Sequence, residues 1–103
     1  MSADLPSQPE LFARLRERVL SGPGELDPAA RRAAFEGSGP ASALAWVRRV
    51  HTQAASIEDE HMEALLASGM SEDQAFELTI AAAVGAADLR LRAALRTLGE
   101  EAP

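Results

Sequence analysis

Apolar residues recur every three or four positions along this chain, and none of its stretches alternates with period two. β-Branched residues are sparse. The pattern therefore predicts helices throughout, and turn and capping residues divide it into five. Ser7-Gln8-Pro9-Glu10 reads as a capping box with proline in the first turn. The helix after it carries Leu11, Phe12, Leu15, Val19 and Leu20, and Gly22-Pro23-Gly24 stops it. Asp27-Pro28 starts a second, shorter helix, with aspartate as cap and proline at the first helical position. It carries Ala30, Ala33, Ala34 and Phe35 and ends at Gly37.

Beyond Ser38-Gly39-Pro40 a third helix is expected over about 41–55, with Leu44, Val47 and Val50 on one stripe and Trp46 beside it. A fourth is expected over about 57–68, with Ile57, Met62, Leu65 and Leu66 on it and Gly69 at its C-terminal cap. Ser56 is a soft boundary, across which the two could run almost continuously. Ser71-Glu72-Asp73-Gln74 is a second capping box and opens the longest helix, about 72–98, which Gly99 ends. Its middle, 78–87, is apolar on every face, and a helix of that kind is buried all round. Alanines and Gly85 there allow close approach of a neighbouring backbone. Four short helices are too few to enclose it, so part of this surface is expected to meet another copy of the chain. The acidic tail 100–103 is expected to fray.

The 103 residues fit one all-α domain, a small bundle of about five helices, with N-terminal helices over 8–37 and a core over 41–98. The absence of cysteine excludes thiol nucleophiles, disulfides, iron–sulfur clusters and thiolate zinc sites. A net charge of −6, with arginine the only basic residue, argues against general nucleic-acid binding. The N-terminal residues have neither the basic nor the apolar region of a signal peptide. The longest apolar run, about ten residues, is half of what a membrane span needs. A cytoplasmic protein without cofactor, metal or membrane partner is the expectation.

Three pieces in order then carry a resemblance: Glu63-Ala64-Leu65-Leu66-Ala67-Ser68-Gly69, the helix start Met70-Ser71-Glu72-Asp73-Gln74-Ala75-Phe76-Glu77-Leu78, and the small-residue run Ala81-Ala82-Ala83-Val84-Gly85-Ala86-Ala87 leading to an Arg/Leu-rich end. Together the stretch 46–98, about half the chain, resembles the carboxymuconolactone decarboxylase and alkylhydroperoxidase D-like family. In the family's peroxidase branch a Cys-x-x-Cys-x-x-x-His motif precedes the glycine junction. Here the matching segment is Ala54-Ala55-Ser56-Ile57-Glu58-Asp59-Glu60-His61. His61 matches, and both cysteine positions hold apolar residues, Ala54 and Ile57. The resemblance thus implies a fold and an assembly habit, rings or larger homo-oligomers, more than an activity.

Two histidines are the candidate catalytic residues. His61 stands three residues after Glu58 on one helix face, a spacing that also occurs in carboxylate-bridged metal sites. There is no second Glu-x-x-His, and the plainer reading is an acidic first turn at the positive end of a helix. His51, after Arg48-Arg49-Val50, could act as a base or help to hold an anion; the plainer reading is a partly exposed surface residue. Trp46 reads as core or interface, with a pocket wall as the alternative. Asp88 and Arg92 are spaced as a helical ion pair, expected on the surface or at an interface, and Arg90 and Arg96 complement the negative helix end. The acidic residues Glu58, Asp59, Glu60, Glu63, Glu72, Asp73 and Glu77 at one end of the last two helices face an arginine-rich other end, a pattern that can guide self-assembly through 72–98. Two functions lead, ahead of a small helical interaction module recruited by another protein. One is a binding or scaffolding homo-oligomer without thiol peroxidase activity. The other is a cysteine-independent enzyme of a small carboxylated substrate, with His61 or His51 moving the proton and an arginine holding the carboxylate.

Overall fold

The structure, a computed structural model, describes residues 8–99. The described residues form five α-helices and no strand: α1 (Gln8–Ser21), α2 (Pro28–Phe35), α3 (Ala41–Gln53), α4 (Asp59–Ala67) and α5 (Glu72–Thr97). The capping box expected at Ser7 and the acidic tail 100–103 lie outside the described residues. No helix among them is long and apolar enough to cross a membrane.

The helix ends follow local chemistry. Asp27 occupies the N-cap of α2, but its side chain makes no capping bond; its carbonyl takes the Ala30 and Arg31 N–H groups instead. Gly37, at φ +85°, closes α2 with Ser38 N–H on Ala33 O and Gly37 N–H on Ala34 O, a Schellman turn that a Cβ would strain. Ser71 and Gln74 exchange the two hydrogen bonds of the expected capping box, each at 3.1 Å. Helices α3 and α4 do not run on continuously. Gln53 leaves helical geometry (φ −141°, ψ 41°), a 3-10 turn spans Ala54–Ser56, and Ile57 is extended. Two local bonds fix the break: Ser56 Oγ donates to Gln53 O, and the Glu58 N–H donates to His61 Nδ1.

α5 is the spine, and α1, α2 and α3 all pack on it. The core holds Leu26, Ala34, Ala43, Trp46, Val47, Val50, Leu65, Ala75, Leu78, Ala81 and Ala82. On α3 the inward stripe is Ala43, Trp46, Val47 and Val50, so Trp46 is core, and Leu44 is only half-buried. The middle of α5 is not buried all round. Leu78, Ala81, Ala82, Gly85 and Ala86 are inside, whereas Ile80, Ala83 and Ala87 are exposed. Gly85 does permit a close approach, but to α2 of the same chain: its Cα faces the Phe35 backbone, with no room for a Cβ.

Candidate functional site

The two histidines belong to different parts of the molecule; His61 lies in the acidic first turn expected of it, and His51 does not sit as expected. His51 is buried, with 9% of its surface exposed, which overturns its reading as a surface residue. Four residues after Val47, it continues the inward stripe of α3. Its Nε2 lies 3.1 Å from Phe35 O, so Nε2 carries the proton and donates. Gly37 packs against the imidazole ring. Arg90 of α5 donates through Nη2 to the His51 carbonyl at 3.0 Å, an orphan acceptor of the last turn of α3. His51 thereby ties the end of α2 to α3 and is supplied with partners that suit a structural role.

His61 is half-buried in the first turn of α4. The backbone N–H of Glu58 donates to its Nδ1 at 2.9 Å, while the His61 N–H donates to the Glu58 carbonyl, also at 2.9 Å, so the two residues close the first turn of α4 between them. The bond fixes the tautomer: Nδ1 is the acceptor, so the neutral ring carries its proton on Nε2. Glu58, Glu60 and His61 bring one possible donor atom each within 4.8 Å of one another. Nδ1 of His61 already accepts the Glu58 N–H, and both glutamates are exposed.

One arginine converges on His61. Ser42, Ala45, Trp46 and Arg49 of α3 and His61, Ala64 and Leu65 of α4 line a cleft of about 120 Å³. The spacing that brings Ser42, Trp46 and Arg49 to one face is i, i+4, i+7, and His61 and Leu65 answer at i, i+4. Arg49 has no ion pair or hydrogen bond among the described residues, whereas the Trp46 Nε1–H donates to Thr79 Oγ1 at 2.9 Å and serves the core. Arg49 was legible only as part of an arginine pair beside His51. The pairing with His61 depends on the break at 54–56, which turns α4 back along α3.

Asp88 and Glu77 serve the fold. Asp88 is buried, not superficial as its ion-pair spacing suggested: Oδ2 takes the Arg92 Nε–H at 3.0 Å and Oδ1 lies 3.3 Å from Arg16 Nη1, so the group also fastens α1 to α5. Glu77, in the acidic run, accepts the backbone N–H groups of Glu25 and Leu26 at 2.8 Å each and clamps the α1–α2 loop. Glu25 is fully exposed, and its carboxyl is raised above the usual range by a hydrogen bond to Asp73 and by the charge of that residue. No protein-family model, curated protein or solved structure matches this chain.

Proposed function

We propose that the chain is the subunit of a helical homo-oligomer of the carboxymuconolactone decarboxylase and alkylhydroperoxidase D-like kind, a binding or scaffolding protein without thiol peroxidase activity. The observation that carries the reading is the open face of α5. Phe76, Ile80, Ala83, Ala87, Ala94 and Leu98 follow at helical spacing on one side, and all six are exposed in the single chain. Phe76 is 65% exposed and Leu98 71%, unusual values for side chains this large in a row. The apolar surface continues past Phe76 into a hollow lined by Met62, Leu66 and Thr79.

The rest of α5 suits a second copy as the occupant. Its first turn carries Glu72 and Asp73, and its last turn Arg96. Antiparallel pairing sets each acidic end against the partner's basic end, adding to the favourable alignment of the two helix dipoles. The spacing is also self-complementary about position 85. Ala83 would meet the partner's Ala87, and Phe76 the partner's Ala94, so small side chains leave room for large ones. Peroxidase chemistry of the family's thiol type needs a thiolate to attack and a second thiol to resolve, and Ala54 and Ile57 supply neither. The test is Ala83→Glu. The residue is exposed in the single chain, so helix content by circular dichroism stays as in the unmodified protein while the mass by light scattering falls to that of a monomer. An unchanged oligomer mass would contradict the reading.

A second reading, a cysteine-independent enzyme of a small carboxylated substrate, is favoured by the cleft that Arg49 and His61 share. There the guanidinium would hold the carboxylate and His61 Nε2 would be the proton-transfer atom. His51 has no part in it, since its Nε2 is committed to Phe35 O.

A further inference from the structure

We propose that a separate cleft, between α1, α2 and the first half of α5, binds a small carboxylate with an apolar body, held by Arg31. Arg31 is 5% exposed, on α2. Its guanidinium stays ionised at any ordinary pH. Among the described residues no carboxylate lies within ion-pair distance of it; the ion pairs formed are those of Asp88 with Arg16 and Arg92. Nη1 makes one long hydrogen bond, 3.3 Å, to Val19 O, and Nε is sealed from solvent without an acceptor. Burying an unpaired charge is costly, and buried charges are as a rule matched by an opposite one. Arg31 lacks that match inside the chain, which points to an anion from outside.

The surroundings say which kind. Arg31 lines a cleft of about 130 Å³ together with Arg18, Val19, Pro23, Phe76, Glu77 and Ile80. Two arginines face one carboxylate there, in a protein whose overall charge is −6. The carboxylate, Glu77, is turned to the Glu25 and Leu26 N–H groups, one on each oxygen. Positive charge thus stands against apolar walls. Val19, Pro23, Phe76 and Ile80 would receive hydrocarbon, which inorganic phosphate lacks, and the exposed Phe76 ring offers a face to an aromatic one. An aryl carboxylate about the size of benzoate fits this combination. Guanidinium–carboxylate recognition supplies orientation, and the apolar wall supplies burial. Phe76 and Ile80 also belong to the open face of α5, so in an assembly the cleft would lie at the edge of the contact between copies, and the mass recorded beside the titration separates ligand binding from a change of assembly.

The test uses the full-length protein and benzoate as probe. Isotope-labelled protein is titrated and its backbone amide and arginine Nε resonances are followed, with the mass recorded in parallel by sedimentation. The expected result is saturable shifts clustered at residues 18–31 and 76–80, with a dissociation constant of about 1 mM, ordinary for a ligand of this size. Benzamide, which keeps the ring and loses the charge, and inorganic phosphate are expected to bind at least about tenfold more weakly. Arg31→Met removes a lone buried charge at similar length and is expected to keep the fold and lose benzoate binding by at least about tenfold. Arg18→Gln, at an exposed position, gives an independent check and is expected to weaken binding several-fold. Absence of saturable shifts up to about 20 mM benzoate would overturn the proposal. Equal binding of benzamide, or undiminished binding in Arg31→Met, would do the same. So would loss of binding in Arg49→Met with retention in Arg31→Met, which would put the ligand between α3 and α4.

Discussion

Replacing Gly85 by alanine is the sharpest perturbation of the fold. In an exposed helix interior the change would stabilise by about 1 kcal/mol, because alanine is the better helix former. Here the new Cβ would fall on the Phe35 carbonyl oxygen, 2.5 Å from its carbon and 2.7 Å from the Phe35 Cα, whereas ordinary contact begins near 3.4 Å. The obstacle is backbone, so no rotamer change relieves it, and α2 has to move away from α5. Overpacking of this kind costs about 1–3 kcal/mol, or more where backbone must shift. The same carbonyl accepts the His51 Nε2–H, and losing that bond inside the protein costs about 1–3 kcal/mol more. Set against the gain in helix propensity, the net loss is about 1–5 kcal/mol. For a chain of this size that lowers Tm by roughly 4–40 °C. Thermal unfolding followed by circular dichroism at 222 nm reads it, with Ala93→Gly, at an exposed position of α5 outside its open face, as a control that loses helix propensity of about 1 kcal/mol and meets no backbone. A Gly85→Ala protein as stable as the unmodified one, or more so, would refute the placement of α2 against α5.

Other consequences can be checked with the same equipment. His51→Leu keeps the bulk but orphans Phe35 O and is expected to cost about 1–3 kcal/mol in denaturant unfolding; a surface-like change within about 0.5 kcal/mol would mean that the side chain is not packed as described. His61→Gln is expected to change stability by no more than about 0.5 kcal/mol, since glutamine at the third helical position can also accept the Glu58 N–H, and a loss above about 2 kcal/mol would give His61 a larger role than the cap. Asp88→Asn weakens the links to both Arg16 and Arg92 and is expected to cost about 1–3 kcal/mol, with much less effect in an Arg16→Gln/Arg92→Gln background if the coupling is real. Tag-free protein is expected to turn over no peroxide with a dithiol as electron donor; steady consumption would refute the exclusion drawn from the missing cysteines.

Much of the architecture was legible because it rests on local chemistry. The Ser71/Gln74 box, the glycine at 37 and the periodicity of α1 and α3 each leave a mark on a few adjacent residues. The break between α3 and α4 left only a soft one, since Gln53, Ala54 and Ala55 all favour a helix, and the stop comes from the Ser56 hydroxyl on Gln53 O and the Glu58 N–H on His61 Nδ1. In α5 the difficulty is different. A run of alanines has almost no amphipathic contrast, so the sequence does not say which face is inside, and Gly85 is equally consistent with contact to α2 or to another chain. His51 could have been found by counting four from Val47, had polarity not outweighed register. Asp88 and Glu77 were read with their helix neighbours, whereas the partners that bury or engage them, Arg16 and the Glu25–Leu26 backbone, lie more than fifty residues away. Arg31 gave no signal at all. Flanked by Ala30 and Arg32, it looks like one more solvated charge of α2, and only the arrival of α1 and α5 on either side of it takes it out of water.

The central claim, that the open face of α5 is covered by another copy of the chain, is tested most directly by the mass of the unmodified, tag-free protein in sedimentation-velocity ultracentrifugation at low micromolar concentration. Obligate helical interfaces of this kind commonly bury about 2,000 Å² or more and hold together under such dilution. The account predicts a single species at an integral multiple of the 10.9 kDa chain mass. A monodisperse species at 10.9 kDa would contradict it, leaving Phe76, Ile80 and Leu98 exposed to water and the scaffolding role without its surface.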